Sequence, residues 1–192
     1  MRKPNPEIIR WDDKYRAASA SDHLRADELL VSHAGLLSGS GRALDIACGA
    51  GASAIHVAAL GYETLGLDGS SEGLRIATQR AAERGVELQL QQVDLTTYRP
   101  PRAAFDLVLV FRYLDRSLFG ALEHALRPGG LLFYKTFNRN LLHSRPSFNA
   151  EFLLEPGELA RTFGSLELIE TNDQPQSVAE VSWYIGRNPA AP

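Results

Sequence analysis

One stretch constrains this chain more than any other, an apolar run that breaks into small residues and then turns helical: Ala43-Leu44-Asp45-Ile46-Ala47-Cys48-Gly49-Ala50-Gly51-Ala52-Ser53. Leu44 and Ile46 carry the alternation of a buried parallel strand, and Gly49 and Gly51 allow a tight turn that brings backbone close to a ligand. The helix expected over Ser53 to Leu60 begins with N–H groups that lack intrahelical partners and point at whatever lies above the strand. Strand, glycine turn and helix start in this order predict a nucleotide-type site at the edge of an α/β sheet.

Two cofactor classes use such a turn. Gly49-Ala50-Gly51-Ala52-Ser53-Ala54 satisfies the loose dinucleotide pattern, so the glycines alone leave both open. Asp45, four residues before the first glycine, separates them. A dinucleotide would bring a doubly charged pyrophosphate against this carboxylate, whereas S-adenosylmethionine (SAM) brings an ammonium and a sulfonium that it attracts. The pattern resembles motif I of the class I SAM-dependent methyltransferases, with Ser53 where a third glycine is common.

Length and composition fit that scale. With 192 residues, 44% of them hydrophobic, the chain can bury one core, so a single domain over 1–192 is expected, with an arm at 1–20 and a core at 40–187. A net charge of -3 and a pI near 6.0 provide no field for collecting nucleic acid. The single Cys48 excludes an intrachain disulfide, and no Cys or His group has zinc spacing, which points to a metal-free protein of the cytoplasm. No apolar run is long enough to span or anchor in a membrane, and the sequence sets no oligomeric state.

Along the chain, residues 1–20 mix proline, aromatic and charged residues. Trp11 and Tyr15, one helical turn apart, are poor choices for a free tail and read as an arm that folds over the cofactor cleft. A helix is expected from His23 to Leu37, capped by Ser21 or Asp22 and ended by Gly39. Tyr62 to Asp68 reads as the second strand. An acid at its tip is placed to accept from two ribose hydroxyls; the plain alternative for Asp68 is a turn or cap before Gly69-Ser70-Ser71. A helix closing at Gly85, an alternating third strand over Val86 to Val93 ending on Asp94, and a fourth, wholly apolar strand over Phe105 to Phe111 come next. Arg127-Pro128-Gly129-Gly130 turns the chain into a fifth strand, Leu131 to Phe137. Residues 138–157 form a long loop, and two last strands near Leu166–Glu170 and Val178–Ile185 are too close in sequence to be anything but antiparallel.

Ordered in this way, the motifs resemble the class I SAM methyltransferases over residues 40–187. The resemblance implies a doubly wound, mostly parallel seven-stranded Rossmann-like sheet in the order 3-2-1-4-5-7-6 with the last strand antiparallel. It also implies SAM as cofactor, S-adenosylhomocysteine as product, and cofactor contacts from Asp45, Ala47, Cys48, Gly49, Gly51, Asp68, Gly69, Asp94, Leu95 and Phe111, with Trp11 and Tyr15 from the arm. In this resemblance Asp94 meets the adenine amino group and the Leu95 N–H meets the ring. The segments 111–118, 136–138 and Arg145-Pro146 look like the small bacterial group related to tellurite-resistance and thiopurine methyltransferases, which act on small molecules. Arg112, His143 and Arg145 are then the candidates for orienting an acceptor, with Arg112 alternatively paired to Asp106 or Asp115. A NAD-dependent oxidoreductase is the first competing function, although no lysine stands four residues after a tyrosine to form a Tyr-x-x-x-Lys pair. A SAM-binding domain without activity is the second.

Overall fold

In the computed structural model, which describes residues 5–17 and 25–190, the sequence divides into two compact units, Met1–Tyr98 and Arg99–Pro192. The first begins with helix α1 (Pro6–Ala17), in which no residue is fully buried, and a short α2 (Glu28–Ser32) that continues as a 3-10 turn over Ala34–Leu36. The single long helix expected over 23–37 is therefore shorter than expected. Asp27 caps it by accepting from the Leu29 N–H at 3.0 Å, while Ser21 and Asp22 lie outside the described residues. Ser32 Oγ donates to the Leu29 carbonyl at 3.1 Å, and His33 Nδ1 approaches the same oxygen at 2.8 Å. These side-chain bonds compete with the next helical turn.

Strand β1 (Arg42–Ile46) leads through the glycine turn into α3 (Ala52–Ala59), then β2 (Glu63–Asp68), α4 (Ser71–Glu83) and β3 (Gln89–Gln92). β1 and β2 pair in parallel from Arg42↔Glu63 to Ile46↔Leu67, and β2 pairs with β3 from Leu65↔Gln89 to Asp68↔Gln92. Leu44, Ile46 and Leu67 are fully buried, together with Ala54, Val57 and Ala77 from the helices, so this face is anchored by side chains without polar atoms. Strand β3 is half the length expected from its alternation. Its residues are largely exposed, as at a sheet edge, and the part lost from the expected strand is chiefly Val86 to Leu88, ahead of Gln89, while the Val93 N–H still donates to the Asp68 carbonyl at 2.9 Å.

The second unit contains β4 (Phe105–Phe111), α5 (Phe119–Ala125), β5 (Leu126–Phe137), α6 (Leu141–Ser144), α7 (Glu158–Thr162), β6 (Glu167–Thr171) and β7 (Val181–Arg187). The Arg127–Gly130 turn is present as an excursion inside β5. Register with β4 jumps from Phe105↔Leu126 to Leu107↔Leu131 around Gly129, whose φ is 80°. Strand β7 runs antiparallel to both β5 and β6. A cluster of Phe119, Tyr134, Phe163 and Tyr184, with ring centroids 5.3 to 5.8 Å apart, fills the core, and its hydroxyls find backbone carbonyls: Tyr134 on Tyr113 at 2.9 Å and Tyr184 on Phe163 at 3.0 Å. The strand order is β3-β2-β1-β4-β5-β7-β6, the doubly wound sheet expected.

Candidate functional site

The residues just after β1 build the glycine turn. Ala47 takes a left-handed conformation (φ 57°) unusual for a residue with a side chain, and Gly49 (φ 53°) and Gly51 (φ 78°) complete the reversal that aims the start of α3 at the carboxyl edge. The Cys48 N–H donates to the Leu67 carbonyl at 3.0 Å, tying the turn to β2. Asp68 adds the second tie. One carboxylate oxygen accepts from the Gly49 N–H and the other from the Ser70 N–H, each at 2.7 Å. A further bond from the Gly69 N–H helps hold the carboxylate at the tip of β2.

Asp45 is 2% exposed. Loss of water, and then the like charge of Asp68, push its pKa up to about 8, opposed by a bond from the Ala54 N–H. Burial likewise raises Asp68, against the N–H groups of Ser70, Gly49 and Gly69. Desolvation and these two carboxylates raise the Cys48 thiol well above its usual range, which makes it a poor nucleophile. A pair of buried acids beside a glycine cradle is unfavourable alone and favourable around a cation. The residues thus fit a ligand with an ammonium and a sulfonium and resist a pyrophosphate.

Asp94 lies beyond β3 and closes a turn on itself, accepting from the Thr96 N–H at 3.1 Å and the Thr96 hydroxyl at 2.6 Å; the Leu95 side chain is buried. From the arm, Tyr15 is brought onto the turn: a Cβ added at Gly49 would collide with its hydroxyl, and one at Gly73 would lie 3.0 Å from its ring. Trp11 is half-buried, with its ring centroid 5.9 Å from that of Tyr15 and the Lys14 ammonium 4.1 Å above its face. Ile8 and Asp12 also reach the site, and sequence reasoning misses both. Ile8 lies against Gly69, and Asp12 accepts from the Ser70 hydroxyl. The only sequence signal for them is spacing, since Ile8, Asp12 and Tyr15 stand at i, i+4 and i+7.

In the second unit Phe111 ends β4, half-buried and paired with Lys135. Arg112 comes next with φ 59°, its N–H donating to the Lys135 carbonyl at 2.8 Å and its side chain exposed. Neither alternative partner holds it: Asp106 pairs with Arg127 at 2.9 Å, and Asp115 accepts from the Ser117 N–H at 2.9 Å. His143 in α6 and Arg145 just after it are exposed, and among the described residues no hydrogen bond or ion pair joins either to Arg112. The loop they occupy is more ordered than expected. It contains α6, a 3-10 turn over Ala150–Phe152, a bridge between Asn138 and Leu154, and Arg116 bonded to both carboxylate oxygens of Glu158. Among the described residues no group of acidic, His or Cys side chains could hold a metal ion, and no helix is long and apolar enough to cross a membrane.

Known proteins match this geometry. A family model described as "Methyltransferase domain" matches residues 43–130, the segment from β1 to the turn before the apolar part of β5. A ubiquinone biosynthesis O-methyltransferase of Sinorhizobium fredii is 36% identical over 105 residues, covering 52% of this chain and 42% of that protein. The chain spans between 42% and 58% of the length of the first curated relatives it matches. An S-adenosylmethionine-dependent methyltransferase from Mesorhizobium loti superposes with a TM-score of 0.64 at 17% identity, covering 82% of this chain and 96% of that one. TehB from Haemophilus influenzae does so with 0.69 at 13% identity, covering 93% and 67%. At these identities the structures establish the fold, and the sequence matches show a similarity to methyltransferases over part of the chain. Residues 43–130 are thus similar to a methyltransferase domain, and the sheet order is that of the Rossmann-like S-adenosylmethionine-dependent methyltransferase structures that superpose on the chain.

Proposed function

We propose that this protein transfers the methyl group of SAM to a small acceptor that reacts as an anion, an oxyanion or a thiolate. The observation that carries the acceptor class is Arg112, an exposed guanidinium with no ion-pair partner among the described residues, on a left-handed backbone at the tip of β4. Such strain costs about 1–3 kcal/mol and persists where the surrounding structure, and often function, demands it. The carboxyl ends of the strands are where open α/β sheets bind their ligands, and a guanidinium grips an oxyanion in a fixed fork without itself acting as a base.

Bound SAM supplies an electrophilic methyl on a sulfonium. Asp45 and Asp68 balance its positive charges and accept from its polar hydrogens, while the Gly49–Gly51 backbone gives it room. Tyr15 covers the turn and excludes water. Arg112 and Arg145 are the guanidiniums offered to the acceptor anion, and alignment supplies most of the acceleration when the nucleophile is already ionised. His143 is the one exposed side chain of this set that could take a proton from a neutral acceptor. The resemblance of residues 111–118 to the tellurite-resistance and thiopurine group supports a soft anion. The curated relatives are named for O-methylation in ubiquinone biosynthesis, which supports an oxyanion. Both are anionic at the atom that attacks.

A panel of phenols, thiols, chalcogen oxyanions, carboxylates and amines, scored by S-adenosylhomocysteine formation, tests this directly. For an accepted anion, Arg112→Gly should lower kcat/KM about tenfold or more with little change in SAM affinity, and should raise the melting temperature because glycine relieves the φ strain. Methylation confined to cationic amines would refute the anion reading. Binding of NADH without any response to SAM would refute the cofactor.

A further inference from the structure

We infer that Asp12 is a positioning residue whose carboxylate latches α1 onto the start of α4, holding Tyr15 over the Gly49 turn, so that exchange of cofactor is limited by opening of this latch. The inference rests on the reading of the turn as a SAM site.

Helix α1 presents Ile8, Asp12 and Tyr15 along one face. The surface that receives them is made of residues with little or no side chain. A Cβ at Gly69 would stand 2.8 and 2.9 Å from Ile8, and one at Gly73 would stand 3.0 and 3.2 Å from Tyr15. The glycines therefore serve the arm as well as the ligand. Apolar burial does not explain why the helix stays there, because α1 has no fully buried residue, and a helix of 12 residues is marginal in water.

The polar contacts do explain it. One Asp12 oxygen accepts from the Ser70 hydroxyl at 2.6 Å and from the Glu72 N–H at 3.1 Å, with only 15% of the side chain exposed. Ser70 is itself the N-cap of α4, accepting from the Gly73 N–H at 3.0 Å. The start of α4 is thus capped twice, by its own chain and by a carboxylate from α1, where the helix dipole favours a negative charge. The hydrogen bond from Ser70 is the largest of the influences that hold the Asp12 carboxyl below its ordinary range, so the latch is ionised at neutral pH. Arg16 flanks it, 3.9 Å from Asp12 and 3.7 Å from Glu72. Ser70 lies two residues after Asp68, the acid that ties down the Gly49 turn, so the latch and the site share one short segment.

The test uses the full chain in a Trp183→Phe background, which leaves Trp11 as the sole tryptophan. Asp12→Ala should raise the S-adenosylhomocysteine dissociation rate about tenfold and make Trp11 more accessible to iodide quenching, with the far-UV circular dichroism of the sheet retained. It should raise KM for SAM and, because Tyr15 no longer covers the turn, lower kcat as well. Asp12→Asn keeps an oxygen for the Glu72 N–H and the Ser70 hydroxyl and should restore most of both readouts. Dissociation and quenching in Asp12→Ala equal to the parent protein would overturn the latch. Failure of the parent protein to bind S-adenosylhomocysteine would instead overturn the cofactor reading, and Trp11 quenching alone would still decide whether Asp12 holds the helix.

Discussion

Raising the pH from 6 to 8 should tighten S-adenosylhomocysteine binding through Asp45. In the free protein this carboxyl titrates at about 8, because burial and Asp68 both disfavour its charge. The ligand ammonium needs it ionised, so apparent affinity is divided by one plus the ratio of protonated to ionised Asp45. That divisor is about 100 at pH 6, about 11 at pH 7 and about 2 at pH 8, a gain of about fiftyfold across the range. Binding at pH 7 should correspondingly release about 0.9 proton, read as a buffer-dependent heat in calorimetry. The ligand's amine titrates near the same window, so the quantity to compare is the parent protein minus Asp45→Asn, in which the site no longer ionises. Stability carries the opposite sign. A carboxyl raised above its unfolded value favours folding fully below about pH 4, and that contribution is lost as pH climbs through 8. The ligand-free protein should therefore lose more melting temperature between pH 5 and 8 than Asp45→Asn does. An affinity difference that stays flat from pH 6 to 8, with no proton release, would show that Asp45 does not meet the cofactor's charge.

Two further outcomes hang on single carboxylates. Asp68→Ala removes the acceptor for the Gly49 and Ser70 N–H groups as well as for a ribose, so SAM affinity should fall tenfold or more; unchanged calorimetric binding in a folded mutant would remove Asp68 from the site. In the second unit Asp173, 2% exposed, accepts from the N–H groups of Gly157, Leu159 and Ala160 at the start of α7. Asp173→Ala should cost about 2–4 kcal/mol by denaturant titration, and a loss below about 1 kcal/mol would mean that another group satisfies those donors.

The residue order alone makes legible whatever depends on near neighbours. The strand of Leu44 and Ile46, the turn at Gly49 and Gly51 and the acids ending β1 and β2 are local patterns, and the structure places each where its spacing implies. Local reading fails where a side chain bonds out of pattern or where burial is missing. Ser32 and His33 turn back to the Leu29 carbonyl and cut α2 short, and the exposed β3 keeps only the part of its alternation that has a neighbour to pair with. Arg112 is visible as a charge, but its left-handed backbone and the engagement of Asp106 and Asp115 elsewhere are not.

The arm is the instructive case. Trp11 and Tyr15 draw attention because aromatic residues are costly in a free tail, yet Asp12, one position on from Trp11, forms the direct bonds to α4. A polar residue in the middle of a helical stripe breaks the hydrophobic period that signals packing. Its partners, the Ser70 hydroxyl and the Glu72 N–H more than fifty residues away, have no signature as a docking surface. The same placement explains why three carboxylates, Asp12, Asp68 and Asp45, can stand in sequence from α1 to β1. Each is compensated by backbone N–H groups or a hydroxyl, and burial and mutual repulsion still raise the inner two. Protonation of Asp45 relieves part of this electrostatic cost in the free protein, and a cation seated on the glycine turn would relieve it with the charge kept, which would make ligand affinity and the seating of α1 two readings of one set of charges.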